Sequence, residues 1–249
     1  MFVEQLHPDD PTATPVLFLH GWGGSGIGTW VASRLPARLR DRGHTCIVAD
    51  LPGHGCAERV NGASHRSEDY DEIVEKVDEG LPVGGRCDVV GFSLGAKIAL
   101  MLAARRPERY RRIVAAGVGS NIFSSEPAGP ALRAILSGGI GPDVPARQRR
   151  SAVYALQSGG DPEAMGACIA RSWTPPTRAD LEGLPSEVLL AAGDEDEVVG
   201  SVEELAACLP TATVRRLRGI DHLSTPYSTE LHDLVAEFLS CEEAEGSHG

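Results

Sequence analysis

The chain lacks an excess of positive charge, a long apolar run and a secretory leader pattern. Its 249 residues carry a formal net charge of −12, and no basic stretch is interleaved with aromatic residues, which argues against nucleic acid as a partner. No uninterrupted apolar run approaches the roughly 18 residues that span a bilayer, so no membrane association is expected. The first residues show no basic stretch followed by an apolar one, which predicts a cytoplasmic protein.

Cysteine pairs at metal-ligand spacing are also missing. None of the six cysteines belongs to a Cys-x-x-Cys pair, which argues against a zinc site. Scattered cysteines of this kind are typical of reduced thiols in a cytoplasmic protein. The six are Cys46, Cys56, Cys87, Cys168, Cys208 and Cys241.

Short apolar runs rich in β-branched residues alternate with helical patterns along most of the chain. This alternation predicts βαβ units and a mostly parallel sheet with helices on both faces, an α/β fold. Several of the runs are apolar throughout, as expected for strands covered on both faces. Strands are predicted at residues 16–20, 45–50, 88–91, 112–116, 187–192 and 213–218, and helices at residues 29–42, 67–79, 93–106, 201–208 and 229–240.

The alternation stops between residues 120 and 185, where prolines punctuate three helical patterns and no strand signal occurs. We interpret this stretch as a helical insertion between two sheet strands. The predicted organisation is a first part of the core at residues 1–119, the insertion at residues 120–185, a second part of the core at residues 186–240 and a disordered tail at residues 241–249. The helical patterns of the insertion lie at residues 131–136, 146–157 and 163–172.

A serine nucleophile is indicated by Gly-Phe-Ser-Leu-Gly at residues 91–95. The bare Gly-x-Ser-x-Gly pattern is weak, but here it follows an apolar strand and leads into a strong helix pattern. Ser93 would then occupy a sharp, strained turn that tolerates only glycine two residues away on either side. The turn lifts the hydroxyl above the sheet and aims a helix N-terminus at the reacting carbonyl.

A serine nucleophile needs a general base within hydrogen-bond reach, and the chain offers several histidines. His222 follows the last predicted strand in a short loop, which places it over the strand ends beside Ser93. His54 is the main alternative. His44 and His232 are expected at solvated helix ends or faces, and the segments around His7, His65 and His248 look exposed.

Four segments together resemble the α/β-hydrolase superfamily, in particular its small serine-esterase members of the carboxylesterase or lactonase kind. They are residues 20–24 (His-Gly-Trp-Gly-Gly), residues 50–55 (Asp-Leu-Pro-Gly-His-Gly), residues 91–95, and residues 193–196 (Gly-Asp-Glu-Asp) with Asp221 and His222. The resemblance covers nearly the whole chain outside the insertion. It implies the α/β-hydrolase fold, with the insertion as a lid over the nucleophile.

The resemblance also implies roles for individual residues. The backbone N–H groups of Trp22 and Leu94 would form the oxyanion hole. The catalytic acid would be Asp196, three residues after the glycine that ends a strand, with Asp194 as the competitor. His54 belongs to a loop that is structural in the family, as does His20. A phosphate-binding role for the glycine-rich residues 20–24 is disfavoured because the P-loop lysine and a Gly-x-Gly-x-x-Gly pattern are both missing.

Two departures from the family pattern stand out. The residue before the histidine is often glycine but is Asp221 here, a carboxylate that would favour the imidazolium or crowd the loop. Many members also begin with a hairpin, whereas only residues 2–6 read as a strand before residue 16, so the sheet is expected to lack a strand at that edge.

The lid would set substrate choice and present apolar walls to it. Candidate pocket residues are Phe123, Tyr154, Met165 and Trp173, although each of them could instead pack the lid onto the core. The arginines at positions 147, 149 and 150 could attract an anionic substrate, but a solvated helix face is the simpler interpretation.

These residues predict a serine hydrolase that acts on a carboxylic ester, thioester or lactone of a small molecule through an acyl-enzyme. No metal or organic cofactor is implied. Acyl transfer, amide hydrolysis and carbon–carbon bond hydrolysis use the same triad and stay open. A non-catalytic ligand-binding protein on this fold is the alternative from another class, and it is disfavoured because all three triad positions are filled.

Overall fold

A computed structural model describes residues 2–57, 70–79, 85–124, 129–169 and 174–240. Within these residues the chain forms one seven-stranded sheet in the order β1-β3-β2-β4-β5-β6-β7. The strands are β1 (Phe2–Leu6), β2 (Ala13–Leu19), β3 (His44–Asp50), β4 (Cys87–Phe92), β5 (Tyr110–Ala116), β6 (Glu187–Gly193) and β7 (Ala212–Leu217).

The sheet is parallel except at one edge, where β1 pairs antiparallel with β3. The prediction of a mostly parallel sheet is therefore confirmed. The sequence predicted a single strand at residues 2–6 in place of the hairpin found in many family members. That strand, β1, is the outermost strand at this edge among the described residues. Because the parallel strands run in one direction, the loops that follow them gather along one edge of the sheet, and the candidate site forms there.

Helices cover both faces of the sheet, as the apolar strand runs predicted. They are α1 (Leu35–Arg40), α2 (Tyr70–Glu79), α3 (Leu94–Arg105), α4 (Gly129–Gly138), α5 (Ala146–Gln157), α6 (Pro162–Ile169), α7 (Arg178–Glu182), α8 (Val202–Ala206) and α9 (Thr229–Ser240). Short turns of π-helix (Ile27–Val31) and 3₁₀-helix (Ser120–Phe123 and Thr225–Tyr227) complete the helical elements.

The alternation of side chains along β2 shows how the two faces are filled. Leu17 and Leu19 join the buried cluster under α3, whereas Val16 and Phe18 join the cluster under α1 and α9. All four side chains are fully buried. A strand buried on both faces must be apolar at every position, which is why these runs carry no polar alternation.

The single helix predicted at residues 29–42 is wrong. The chain instead makes the π-helical turn, changes direction at Arg34 and starts α1 at Leu35. Arg34 has φ 65°, a left-handed conformation that no continuous helix accommodates. Pro36 supplies the reason, since its ring clashes with the carbonyl four residues earlier in a continuous helix but fits the first turn of a new one.

The expectation that His44 and His232 are solvated is also wrong. Both side chains are buried, with 3% and 8% of their surface exposed. A ring nitrogen of His44 lies 2.8 Å from the carbonyl of Thr14, and one of His232 lies 2.9 Å from the carbonyl of Pro226. An imidazole with a hydrogen-bond partner is buried at little cost.

Helices α4, α5 and α6, called the inserted helices below, lie between β5 and β6. The described residues of this stretch contain no strand. The inserted helices build a small core of their own from Leu136, Ala152, Ala155 and Met165. The tail predicted at residues 241–249 lies outside the described residues.

The five cysteines within the described part of the chain form no disulfide with one another. No helix of that part is both long and apolar enough to cross a bilayer.

Candidate active site

Ser93 occupies the turn between β4 and α3 in a strained conformation. Its φ of 52° and ψ of −111° are unusual for a residue with a side chain. Flanking glycines make the turn possible. A Cβ on Gly91 would collide with the carbonyl of Gly95, and a Cβ on Gly95 would collide with the carbonyl of Leu19. The glycines of the motif are therefore required by close backbone approach, as the sequence predicted.

A continuous hydrogen-bonded chain runs from a carboxylate through an imidazole to the serine. His222 Nδ1 lies 2.7 Å from Asp196 Oδ2, and His222 Nε2 lies 3.0 Å from Ser93 Oγ. Because an ionised carboxylate only accepts, Nδ1–H donates to Asp196 and the neutral Nε2 accepts from the Ser93 hydroxyl. The fold thus brings together three residues that are far apart in the sequence.

Asp196, rather than Asp194, faces the histidine. Its side chain is fully buried, and its second oxygen, Oδ1, accepts the N–H of Val198 at 2.8 Å. Asp194 is exposed and accepts the N–H of Gly219 at 2.7 Å. Both carboxylates follow β6, but the turn between them points one inward to the histidine loop and the other outward.

The loop that carries His222 is closed by the neighbouring carboxylate. Asp221 Oδ1 accepts the N–H of Ser224 at 2.9 Å, and the Thr225 hydroxyl donates to the Asp221 carbonyl at 2.9 Å. The Ser224 hydrogen bond is the main reason that the pKa of Asp221 lies below its usual value, with smaller contributions from Arg150 and His222. Asp221 therefore stabilises the turn that presents His222. The imidazole also packs against the ring of Phe92, with 5.1 Å between ring centroids.

Asn121 ties the acid-bearing loop to the end of β5, a role that the sequence did not reveal. Its side-chain Oδ1 accepts the N–H of Gly119 at 3.2 Å, and its Nδ2 donates to the carbonyl of Val198 at 3.2 Å. Its backbone N–H donates to Val199 at 3.2 Å. Lys97 on α3 donates to the Asn121 carbonyl at 2.9 Å, and burial lowers the pKa of this lysine to about 8. No sequence motif marks an asparagine in this role.

The predicted oxyanion donors belong to a second flank of the serine, which is formed by the start of α3 and the loop after β2. Leu94 is the first residue of α3, so its N–H has no acceptor within the helix. The Ser93 N–H already donates to the Ala116 carbonyl at 2.8 Å. Residues 20–24 approach closely, because a Cβ on Gly21 would lie 3.3 Å from the Ser93 Cβ. Trp22 follows directly, which is the position expected for the second donor.

Two buried side chains shape the loops on this flank. Asp50 accepts the N–H of Gly26 at 2.6 Å and the N–H of Cys56 at 2.7 Å, one on each oxygen. His20 is fully buried, and its Nε2 accepts the N–H of Leu51 at 3.0 Å. Burial lowers the pKa of His20, which keeps the ring neutral and able to accept.

His54, the alternative base, has no place beside the serine. It is fully buried, its Nδ1 lies 3.1 Å from the carbonyl of Pro52, and its ring packs against His20 with 5.2 Å between centroids. It belongs to the packing of the loops, as the family resemblance implied.

The predicted pocket residues have different surroundings. Met165 is fully buried within the core of the inserted helices, and the Tyr154 hydroxyl lies 3.4 Å from the Thr29 hydroxyl. Phe123 packs against the main core, with the guanidinium of Arg178 5.0 Å above its ring. Trp173 lies outside the described residues. Of the predicted arginines, Arg149 donates to the carbonyls of residues 141 and 142, and Arg147 and Arg150 are exposed.

Among the residues that the structure describes, no group of three His, Cys, Asp or Glu side chains could hold a metal ion.

Residues 14–138 match the family model described as alpha/beta hydrolase fold. A pimeloyl-[acyl-carrier protein] methyl ester esterase of Aromatoleum aromaticum is 30% identical over 240 residues, covering 83% of this chain and 90% of that protein. A 2-hydroxymuconate semialdehyde hydrolase of Pseudomonas sp. strain CF600 is 34% identical over 112 residues, which is 45% of this chain. The chain spans only 38% of the length of that hydrolase.

Solved structures share the fold over nearly the whole chain. A structure from a study of Nitrososphaera gargenis carboxylesterases superposes with a TM-score of 0.77 at 21% identity and covers 96% of this chain and 93% of that one. At this identity the likeness concerns the fold alone.

Proposed function

Because the chain belongs to the α/β-hydrolase fold family, we propose that it is a serine hydrolase of small-molecule carboxylic esters, thioesters or lactones. The observation that carries the proposal is the hydrogen-bonded chain from Asp196 through His222 to the strained Ser93. Serine is a weak nucleophile on its own, and a base that is itself oriented by a buried carboxylate is the arrangement that activates it.

In the first half of the proposed reaction, the Ser93 oxygen attacks the substrate carbonyl while His222 Nε2 takes the hydroxyl proton. The imidazolium that forms is stabilised by Asp196, whose buried carboxylate lies 2.7 Å from Nδ1. The tetrahedral oxyanion accepts hydrogen bonds from the N–H groups of Leu94 and Trp22. The imidazolium then returns its proton to the leaving alcohol, thiol or lactone oxygen, which leaves an acyl-enzyme.

In the second half, His222 takes a proton from water, and the hydroxide oxygen attacks the acyl carbonyl. Collapse of the second tetrahedral intermediate frees the acid, and the proton on Nε2 returns to Ser93. The same two N–H donors serve both intermediates. Every proton passes through one nitrogen of His222, so the neutral imidazole is the working form at the start of each half.

An ester is favoured over other scissile bonds by the extent of the similarity. The methyl ester esterase of Aromatoleum aromaticum aligns over 90% of its length. A 2-hydroxy-6-oxo-2,4-heptadienoate hydrolase of Pseudomonas putida is 29% identical and aligns over 50% of its length. Carbon–carbon bond hydrolysis is therefore the second candidate, since the same three residues serve it.

The proposal is tested with a fluorophosphonate probe, which reacts with an activated serine whatever the natural substrate is. Intact-protein and peptide mass spectrometry locate the adduct. Labelling at Ser93 is expected in the wild-type protein and is expected to be lost in Ser93→Ala and in His222→Ala. Folding of both variants is checked by circular dichroism.

A substrate panel then separates the candidate reactions. It contains methyl esters, acyl thioesters, lactones and 2-hydroxy-6-oxo-2,4-heptadienoate, each assayed with wild-type protein and Ser93→Ala. Turnover of an ester, thioester or lactone supports the proposal, and turnover of the dienoate alone supports the second candidate. Folded protein that forms no adduct at Ser93 and turns over none of the panel would overturn the hydrolase proposal.

A further inference from the structure

Trp22 presents two N–H groups to two different parts of the molecule. Its backbone N–H is the proposed oxyanion donor. Its indole Nε1–H donates to the backbone carbonyl of Met165 at 2.9 Å, a contact across 143 residues of sequence. Met165 lies within α6, one of the inserted helices. One residue therefore connects the proposed reaction centre to a segment that contributes none of the triad.

The indole also packs between two hydrophobic cores. Trp22 contacts the main buried cluster of the sheet, and it contacts the small core of the inserted helices that contains Met165 and Ala155. It is the partly buried side chain that these two clusters have in common among the described residues. A rigid ring fixed on both sides restricts where its own backbone can lie.

The residues that follow Trp22 meet a second inserted helix. Gly23 has φ 78°, and a Cβ built on it would lie 2.8 Å from the Ala155 Cβ on α5. A Cβ on Gly24 would lie 2.9 Å from the Tyr154 hydroxyl oxygen on the same helix. Three consecutive residues of the loop are therefore in close contact with two inserted helices.

We propose that Trp22 is a positioning residue whose indole couples the seating of the inserted helices to the placement of the proposed oxyanion donor. The inference rests on the proposed function and adds a dependence to it: transition-state stabilisation requires α6 to be held against the indole. The substrate would then be turned over fast only when the inserted helices are seated against the indole.

The test compares Trp22→Phe with a matched control, Trp30→Phe. The phenylalanine at position 22 keeps an aromatic ring and removes the hydrogen bond to Met165. Trp30 is a buried tryptophan on the other face of the sheet, and its Nε1 has no hydrogen-bond partner among the described residues. Both variants lose an indole, but only the first loses the link to α6. Trp22→His, which keeps a ring N–H, serves as the conservative variant.

Four readouts are used on the full chain: kcat and KM with an ester substrate, the affinity of an alkyl boronic acid, and hydrogen exchange of residues 162–169. We expect Trp22→Phe to lower kcat by roughly 10-fold, with KM within about 2-fold, since the donor shifts by a fraction of an ångström. The boronic acid forms a tetrahedral adduct on the serine, so its affinity should fall by about the same factor. Exchange in residues 162–169 should become faster, and Trp22→His should recover part of kcat.

Each other outcome overturns the coupling. If Trp22→Phe behaves like Trp30→Phe, or raises KM without lowering kcat, Trp22 does not position the donor, while the proposed function stands. If kcat falls and exchange in residues 162–169 is unchanged, the effect lies within the loop and not in its link to the inserted helices. If the wild-type protein neither labels at Ser93 nor turns over the panel, the proposed function fails and this inference fails with it.

Discussion

The two flanks of Ser93 are held in different ways. On the base flank, Asp196 and His222 are carried by the loops after β6 and β7, and Asn121 ties the first of these loops to the end of β5. The hydrogen bonds of Asp196, His222 and the Asn121 side chain lie in the loops that follow β5, β6 and β7, which are adjacent strands of one sheet. The histidine side of the site is therefore built by the sheet itself.

On the other flank, residues 20–24 depend on partners from distant parts of the chain. Asp50 and His20 accept backbone hydrogen bonds from the loops that follow β2 and β3. Met165 and Ala155 of the inserted helices contact the loop that follows β2. The groups proposed for proton transfer and those proposed for oxyanion stabilisation therefore have separate structural supports. A change in the inserted helices should reach the oxyanion donor and leave the hydrogen bonds of His222 intact.

The largest effect is expected on the base flank, for Asp196→Asn. The amide cannot hold the required tautomer of His222, and kcat should fall by about 10³–10⁴-fold. Asp194→Asn is the matched control, because that exposed carboxylate bonds the N–H of Gly219 instead, and its kcat should change by less than about 3-fold. Steady-state kinetics decide the matter, and the reverse ranking of the two variants would assign the acid to Asp194.

On the oxyanion flank, Gly23→Ala should lower kcat by roughly 10–100-fold, because the new methyl group pushes the loop away from α5. It should also cost about 1–2 kcal/mol of unfolding free energy through backbone strain. Gly159→Ala provides the control, since Gly159 has φ 76° but no atom within 4 Å of an added Cβ. Denaturant unfolding should show a loss of stability in both variants. A kcat loss of equal size in both would show that strain alone, and not the contact with α5, slows the enzyme.

A smaller effect is expected for Asn121→Ala, which removes the side-chain hydrogen bonds to Gly119 and Val198. The acid-bearing loop should loosen, with a loss of about 10-fold in kcat, little change in KM and an altered pH–rate profile. Ser120→Ala serves as the comparison, because the Ser120 hydroxyl accepts the N–H of Ser201, further from Asp196. Equal pH–rate profiles for wild type and Asn121→Ala would remove Asn121 from the positioning of the acid.

Lys97→Met tests the lysine beside Asn121 through stability rather than rate. Burial lowers the pKa of Lys97 from 10.5 to about 8 in the folded protein. Below about pH 8 both states carry the proton, and the full penalty for the buried charge applies. As the pH rises from about 8 to 10.5, the unfolded state binds more protons, so the wild type gains stability relative to the variant by up to about 1.4 kcal/mol per pH unit. Denaturant unfolding of both proteins between pH 7 and 10 measures the difference, and a difference that does not change with pH would contradict it.

The smallest effect is expected for Asp221→Asn. The amide oxygen can accept the N–H of Ser224 as the carboxylate does, so the turn before His222 should persist. We expect kcat to change by less than about 3-fold and the pH optimum to stay where it is. A displaced optimum would show instead that the Asp221 charge acts on the protonation of His222.

Short sequence patterns predicted those features of the fold that depend on residues close together in the sequence. The glycines around Ser93 marked a turn that admits no side chain at those positions, and the apolar runs marked strands buried on both faces. At Arg34 and Pro36 a local pattern misled, because the helical pattern of residues 29–42 continues across a point where the backbone changes direction.

Local sequence signals do not distinguish well between residues of the same type that lie close together or in similar surroundings. Asp194 and Asp196 follow the same strand, and only the course of the turn decides which one reaches His222. His44 and His232 looked solvated because their carbonyl partners, on Thr14 and Pro226, are not visible as a pattern.

By itself the sequence determined the alternation of strands and helices, the serine turn and the histidine loop, because each of these follows from local backbone sterics and apolar periodicity. Only the tertiary structure decided that Asp196 is the carboxylate on His222, that Asn121 ties the acid-bearing loop, and that the Trp22 indole meets the Met165 carbonyl. These contacts join residues up to 143 positions apart, and hydrogen bonds at such separation depend on how the sheet and the inserted helices pack together.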